Sequence, residues 1–296
     1  MPRASGCVLA VTLLVAGGLE ASQTIPAAPS IVRRVDHIVI RAANPRELYA
    51  FFTETMQLPV AWPLTSPREG VVTGGVGVGN VNLEAIQFPG QTEQQPRLLG
   101  FAFEPLSLDE SLRQLTLRGL AAGVRREIVG TRPNGSRGVL WTNVTLQQFS
   151  DSDDPAHGMV HVFLSEYSPA YVDVGQRRER LRKELVANGG GPLGIVDLKE
   201  IVIAVKDLEA ARRIWDRLLQ PVPSPVVNTW QVGDGPAIRL IAAPQDRMQS
   251  LIFRVASLDR AKAFLRDNRL LGAETDGMLT IDPSRLWGVE LRLVDR

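Results

Sequence analysis

The 296-residue chain has almost no thiol chemistry: its single cysteine is Cys7. A disulfide framework, a thiolate metal site and a thiol nucleophile in the body of the chain are excluded, so core burial holds the fold and any metal must be bound through nitrogen and oxygen. Histidine is nearly as scarce, with three residues, His37, His157 and His161. Aromatic residues make up 6% of the chain, which speaks against a stacking platform for bases or sugars. Neither sign of charge is in excess: 33 Lys and Arg against 32 Asp and Glu leave a net charge of +1. With no basic stripe and no acidic tail, nothing points to nucleic acid or an anionic membrane as a partner. No Gly-x-Ser-x-Gly nucleophile elbow occurs either.

Long apolar runs are absent with one exception. Arg3 is followed by the stretch from Cys7 to Leu19 and then by small residues around Ala21-Ser22. The run is shorter than the roughly 20 residues that cross a bilayer. Residues 1–22 therefore read as a signal peptide, predicting a secreted or periplasmic protein that loses its only thiol on maturation. The rest, in a chain that is 44% hydrophobic and 22% charged, lies in the ordinary globular range and is long enough for two domains.

What the chain does have is repetition. Four times an apolar strand is followed by a capped amphipathic helix. The strands begin at Val35, Leu98, Leu198 and Ser250, and the caps are Asn44, Ser107, Asp207 and Ser257. The first helix opens with Pro45 and carries Glu47 three residues after its cap, the pattern of a capping box. Extended segments rich in Val, Ile, Leu and Thr follow each helix, so the unit reads as βαβββ. The longest interval between caps separates the second unit from the third, which groups the units into two pairs with an insert between them.

On the strand Val35 to Ile40 with His37, the segment from Gly75 to Glu84, Phe163 to Tyr167, and the closing Gly288 to Leu293, the chain resembles the vicinal oxygen chelate superfamily, the glyoxalase-like fold. The resemblance implies an α+β architecture of four βαβββ modules in two pairs, whose mixed sheets form half-barrel clefts. The predicted organisation is a module pair over 31–173, a connector helix and glycine-rich linker over 174–192, and a degenerate pair over 193–296. Function is less constrained, because one fold hosts many chemistries.

In metal-using members the resemblance implies ligands from the first and last strands of each module. His37 and Glu84 take those positions in unit one. Glu166 takes the last-strand position of unit two, whose first-strand position falls to Phe101. His37, Glu84 and Glu166 are thus the expected ligands of a divalent ion, Mn, Zn, Ni or Fe, with Glu166 or Glu84 also the expected catalytic base. The expected activity is that of a lyase or isomerase acting on a small molecule with vicinal oxygens. A metal-free small-molecule binding protein and an extradiol-type dioxygenase are the alternatives, the second disfavoured because only one histidine is in the set.

In the second pair Glu200 aligns with His37, Ser250 with Phe101, Glu290 with Glu166, and Arg239 or Ile241 with Glu84. That pair reads as structural or substrate-shaping. Strand alternation groups Val162, Leu164 and Glu166 on one face and His161, Phe163 and Ser165 on the other, so His161 is expected to point away from the metal. His157 lies in an acidic loop. The insert helix around Arg177 to Leu185 alternates in charge and reads as a solvated connector. The glycine-rich run from Gly74 to Asn80 leads into a strand and not a helix, against a dinucleotide loop. Four units in one chain predict a self-contained monomer, with a dimer as the alternative.

Overall fold

The structure is a computed structural model that describes residues 1, 29–91, 96–149, 160–224 and 226–295. The expected signal segment and His157 lie outside the described residues. Module one runs β1 (Val32–Arg41), α1 (Pro45–Ala50, continued by one wider turn over Phe51–Thr55), β2 (Val60–Arg68), β3 (Val71–Gly77) and β4 (Asn82–Gln87). Module two runs β5 (Arg97–Pro105), α2 (Leu108–Leu117), β6 (Arg126–Thr131), β7 (Arg137–Thr145) and β8 (His161–Tyr167). The insert forms α3 (Val174–Ala187). Module three is β9 (Ile195–Val205), α4 (Leu208–Leu219), β10 (Thr229–Gln231) and β11 (Ala237–Ala242), one strand short of the expected unit among the described residues. Module four is β12 (Arg247–Val255), α5 (Leu258–Asp267), β13 (Leu271–Thr275), β14 (Met278–Ile281) and β15 (Leu291–Asp295).

Each module pair forms one mixed sheet. The first has the strand order β2-β3-β4-β1-β5-β8-β7-β6 and the second β10-β11-β9-β12-β15-β14-β13. In both, the first strands of the two modules meet antiparallel at the centre and each is flanked by the parallel last strand of its own module. The α+β architecture with paired modules therefore stands.

One face of each strand carries the apolar residues that join the helices in a single core. Phe101 and Phe103 of β5 pack on Trp215 of α4, the Phe101 ring stacked at 6.1 Å. That core runs through both pairs without interruption, from Ile31 to Leu293. Polar contacts reinforce the junction. The Asn80 side chain accepts from the Leu198 amide at 3.1 Å and donates to the Leu198 carbonyl at 3.0 Å, imitating a strand neighbour. Arg118 donates to the carbonyls of Arg217, Leu218 and Gln220 at the end of α4, where orphaned helix carbonyls need partners.

The capping box at Asn44 takes a different form from the one expected. Its side chain makes no cap bond to the backbone and instead donates to the Glu47 carboxylate at 2.8 Å. The glycine-rich run is a strand connection, as its sequence context indicates: β3 turns at Val78 to Val81, closed by the Val78 amide on the Val81 carbonyl, with Gly79 at a φ of +68°.

Candidate functional site

The centre of the first sheet has a local irregularity that builds the site. Across β1 and β5, Val35 pairs with Phe103 and His37 with Ala102, so Asp36 is an extra residue in β1. Such a bulge breaks the alternation of side chains. It sets Asp36 and His37 beside each other, the His37 Nδ1 lying 2.8 Å from Asp36 Oδ2. On the other side of the imidazole, Nε2 faces Glu84 Oε2 at 3.5 Å. Thr73 of β3 donates to the second Glu84 oxygen at 2.5 Å. Asp36 is buried and fully engaged: it accepts from the Tyr167 hydroxyl at 3.1 Å and from Arg178 at 2.9 Å. Arg178 also binds Glu104. The result is a continuous polar line, Thr73 to Glu84 to His37 to Asp36 to Tyr167 and Arg178.

The titration of these groups follows from that line. Burial alone would raise the Asp36 carboxyl, but the hydrogen bond and charge of His37 and the guanidinium groups of Arg177 and Arg178 outweigh it and hold the group well below the usual carboxylate range. Burial would likewise lower His37, and the hydrogen bond and charge of Asp36, with the charge of Glu84, outweigh it and raise it. Burial and the neighbouring Asp36 charge push the Tyr167 phenol above its ordinary value.

Of the three residues expected to converge, the structure brings together His37 and Glu84 and separates Glu166. The Glu166 carboxylate accepts from the Leu108 amide at 2.8 Å, the first N–H of α2. It lies on the helix-bearing face of β8 with Val162 and Leu164. Ser165 and Tyr167 share the opposite face, which also carries His161 and Phe163, and the Phe163 ring meets His37 edge-on at 5.6 Å. The alternation along β8 is as expected, and the face assignment is the reverse. His161 belongs to the cleft side, its ring tilted against that of Phe163 at 5.0 Å.

Strand register explains the error. His37 pairs with Asn82 and Ala102, while Gly100 pairs with His161 and Val39. A two-fold axis between β1 and β5 thus makes Gly100 the counterpart of His37 and Phe163 the counterpart of Glu84, in place of Phe101 and Glu166. In the second sheet the same pairings match Glu200 to His37, Arg239 to Glu84, Ser250 to Gly100 and Arg292 to Phe163. Glu290 then matches His161, and Glu166 is matched by Asp295, which accepts from the Leu258 amide of α5 at 2.9 Å. The carboxylate at the end of the last strand is a helix cap used in both modules two and four. The second sheet places an ion pair, Arg239 to Glu200 at 2.7 Å, where the first has Glu84 and His37.

A divalent ion of the kind this fold can hold needs several ligands converging on one point. The four central positions of the first sheet are His37, Glu84, Gly100 and Phe163, and only two of these can ligate. Asp36 and Glu84 sit at opposite nitrogens of one imidazole, so the three do not converge. Among the described residues no group of three or more His, Cys, Asp or Glu side chains is placed to hold a metal. The described residues do not fit a metal centre.

Sequence reading missed Asp36, Tyr167 and the inward turn of α3. Arg177 of that helix lies across the cleft, its guanidinium 5.7 Å from the Trp62 ring and 5.0 Å from the Tyr167 ring. Trp62 can lie flat there because Gly75 faces it: a Cβ at residue 75 would come within 2.4 Å of the indole. The only advance signal was two adjacent arginines, Arg177 and Arg178, in a helix with few apolar residues.

No family model and no curated protein matches this chain. Solved structures do. A hypothetical protein from Staphylococcus aureus aligns with a TM-score of 0.57 at 9% identity, over 89% of this chain and 99% of that one. The 2,3-dioxygenase LapB from Pseudomonas sp. KL28 gives 0.55 at 16% identity, over 91% and 94%. A variant of 4-hydroxymandelate synthase from Streptomyces coelicolor gives 0.55 at 14%, over 90% and 93%. At such identities the likeness establishes architecture alone. Together with the paired modules and their strand order, it shows that this chain has the vicinal oxygen chelate fold.

Proposed function

We propose that the chain is a small-molecule binding protein on this fold, one that works without a resident metal. The observation that carries this reading is the content of the four central positions, where Gly100 and Phe163 stand opposite His37 and Glu84. What remains is a buried, charged line of hydrogen-bonding groups that can orient a ligand and exchange a proton with it. A lyase or isomerase built on a chelated ion, and an extradiol-type dioxygenase, each need a third ligand, and Glu166 is engaged as a helix cap. Export belongs to the same proposal, resting on Arg3, the apolar run from Cys7 to Leu19 and the small residues after it.

Elemental analysis of protein purified without chelators tests the reading. The expected result is far less than one equivalent of Mn, Fe, Ni or Zn, with no rise in thermal stability when these ions are added. One equivalent of metal that is lost in both His37→Ala and Glu84→Ala variants would overturn it, and iron with oxygen uptake on a catechol would favour the dioxygenase. N-terminal sequencing of protein recovered from the exported fraction checks for removal of the first 20 or so residues.

A further inference from the structure

Several polar atoms beside the His37 line are buried and lack hydrogen-bond partners, and they lie together. In Arg177 they are Nε and Nη2, the two nitrogens on one edge of the guanidinium, whose parallel N–H groups form a fork suited to a planar oxyanion. The side chain is only 11% exposed, and its nearest carboxylate oxygen, Asp36 Oδ1, is 4.0 Å from Nη2, beyond hydrogen-bonding distance. On β8, the Ser165 hydroxyl is buried and unpaired. Directly across the ladder on β7, the buried Asn143 Oδ1 is unpaired as well. Ser165 and Asn143 face each other, and their neighbours two residues along, Tyr167 and Trp141, form the next cross-strand pair on the same face. That face is the one over which Arg177 lies. Buried polar atoms are rarely left without partners, and four in one place mark a position where a partner belongs.

From these atoms we infer that the cleft binds an aromatic carboxylate, with Arg177 as its anion anchor. This rests on the metal-free reading above, since it assigns the ligand's charge to a guanidinium rather than to an ion. The fork takes both carboxylate oxygens, and because Arg177 itself lies over Trp62 and Tyr167, the apolar wall for a ring is Trp141, two residues from Asn143 on the same face of β7. Ser165 and Asn143 take a hydroxyl or amino group on that ring, the Asn143 amide being able to present either its oxygen or its nitrogen. Asp36 and Glu104 take their hydrogen bonds from Arg178, so Asp36 offsets the Arg177 charge from 4.0 Å without closing the Nε–Nη2 edge.

Titration calorimetry on the full chain tests the assignment, with 4-hydroxybenzoate as probe, 4-hydroxybenzamide as its neutral analogue and inorganic phosphate as the competing oxyanion. The acid is expected to bind at least about tenfold more tightly than the amide, and phosphate only weakly. Arg177→Met should weaken binding of the acid by roughly tenfold or more, the worth of a charge-assisted bidentate contact. Arg177→Lys, which keeps charge without the fork, should recover part of the loss, while Arg182→Gln on the exposed side of α3 should bind as the parent does. Ser165→Ala, which removes only the hydroxyl, should weaken binding severalfold and tests the site independently of Arg177. Equal affinity for acid and amide, preference for phosphate, no binding of the acid at millimolar concentration, or unchanged binding in Arg177→Met would overturn the inference. Repeating the titration after chelator treatment separates the two proposals: binding that vanishes and returns with a divalent ion refutes the metal-free reading, whereas the Arg177 variants judge the anchor.

Discussion

Replacing Glu166 by alanine distinguishes a helix cap from a metal ligand. The side chain accepts one hydrogen bond, from the first free amide of α2 at 2.8 Å, and its negative charge sits at the positive end of that helix. The Ser107 side chain, which occupies the ordinary cap position, makes no cap bond of its own, so nothing nearby replaces the lost acceptor. Removal of a capping acceptor costs about 1 kcal/mol, with up to a further ~0.5 kcal/mol from the helix dipole at a solvated terminus. For a protein of this size the sum corresponds to a fall in Tm of about 2 °C. Glu166→Gln, which keeps an acceptor and loses charge, should show less than half of that. Asp295→Ala should reproduce the alanine effect, because Asp295 caps α5 by the same bond, and the double variant should be additive because the two caps share no partner. The assay is thermal and denaturant unfolding followed by circular dichroism, with metal content and ligand affinity measured alongside. Unchanged stability in Glu166→Ala, or a stability loss in Asp295→Ala with none in Glu166→Ala, would refute the cap, and a loss of bound metal in Glu166→Ala would restore it as a ligand.

The buried Asp36 and His37 make stability depend on pH at both ends of the range. Asp36 is lowered in the fold, so its contribution is complete above its ordinary value near 3.8 and disappears as pH falls through the lower folded value. His37 is raised, so its contribution is complete below about 6.5 and is lost as pH rises through the folded value. Denaturant unfolding should therefore show declining stability from neutral into alkaline solution, and His37→Gln should flatten that limb. Asp36→Asn, which leaves Arg178 without its buried partner, should cost about 3 kcal/mol at neutral pH. An unaltered pH profile in both variants would contradict the pairing. At Gly75, alanine should displace Trp62 from its flat position and cost about 1–3 kcal/mol by overpacking, visible as a shift in tryptophan emission.

The repeat was legible in the sequence because strand alternation, helix periodicity and caps are local patterns, carried by runs such as Val35 to Ile40 and Ser107-Leu108-Asp109. His37 and Glu84 could be placed side by side because their strands belong to one module and pair in parallel. Glu166 could not, because its face depends on register between modules. The matching phrase Ser257-Leu258-Asp259 with Asp295 held a clue to its role, since the same helix start recurs with a carboxylate at the end of the last strand. Asp36 was hidden by the bulge, which no local pattern announces: alternation assigns it to the face opposite His37. Arg177 was hidden because a helix of alternating charge reads as a solvated surface whether or not one of its sides is covered. Among the described residues module three lacks one strand, and Pro221 and Pro223, which cannot donate to a ladder, stand between α4 and the short β10.

The stacking of Trp215 against Phe101, far apart in sequence, has a consequence for how the molecule can be taken apart. Neither half carries a complete apolar interior of its own: severing the chain in the glycine-rich segment after α3 would leave each fragment with an oily surface where the other had been. The protein should therefore melt in one step rather than two, as a single inseparable body.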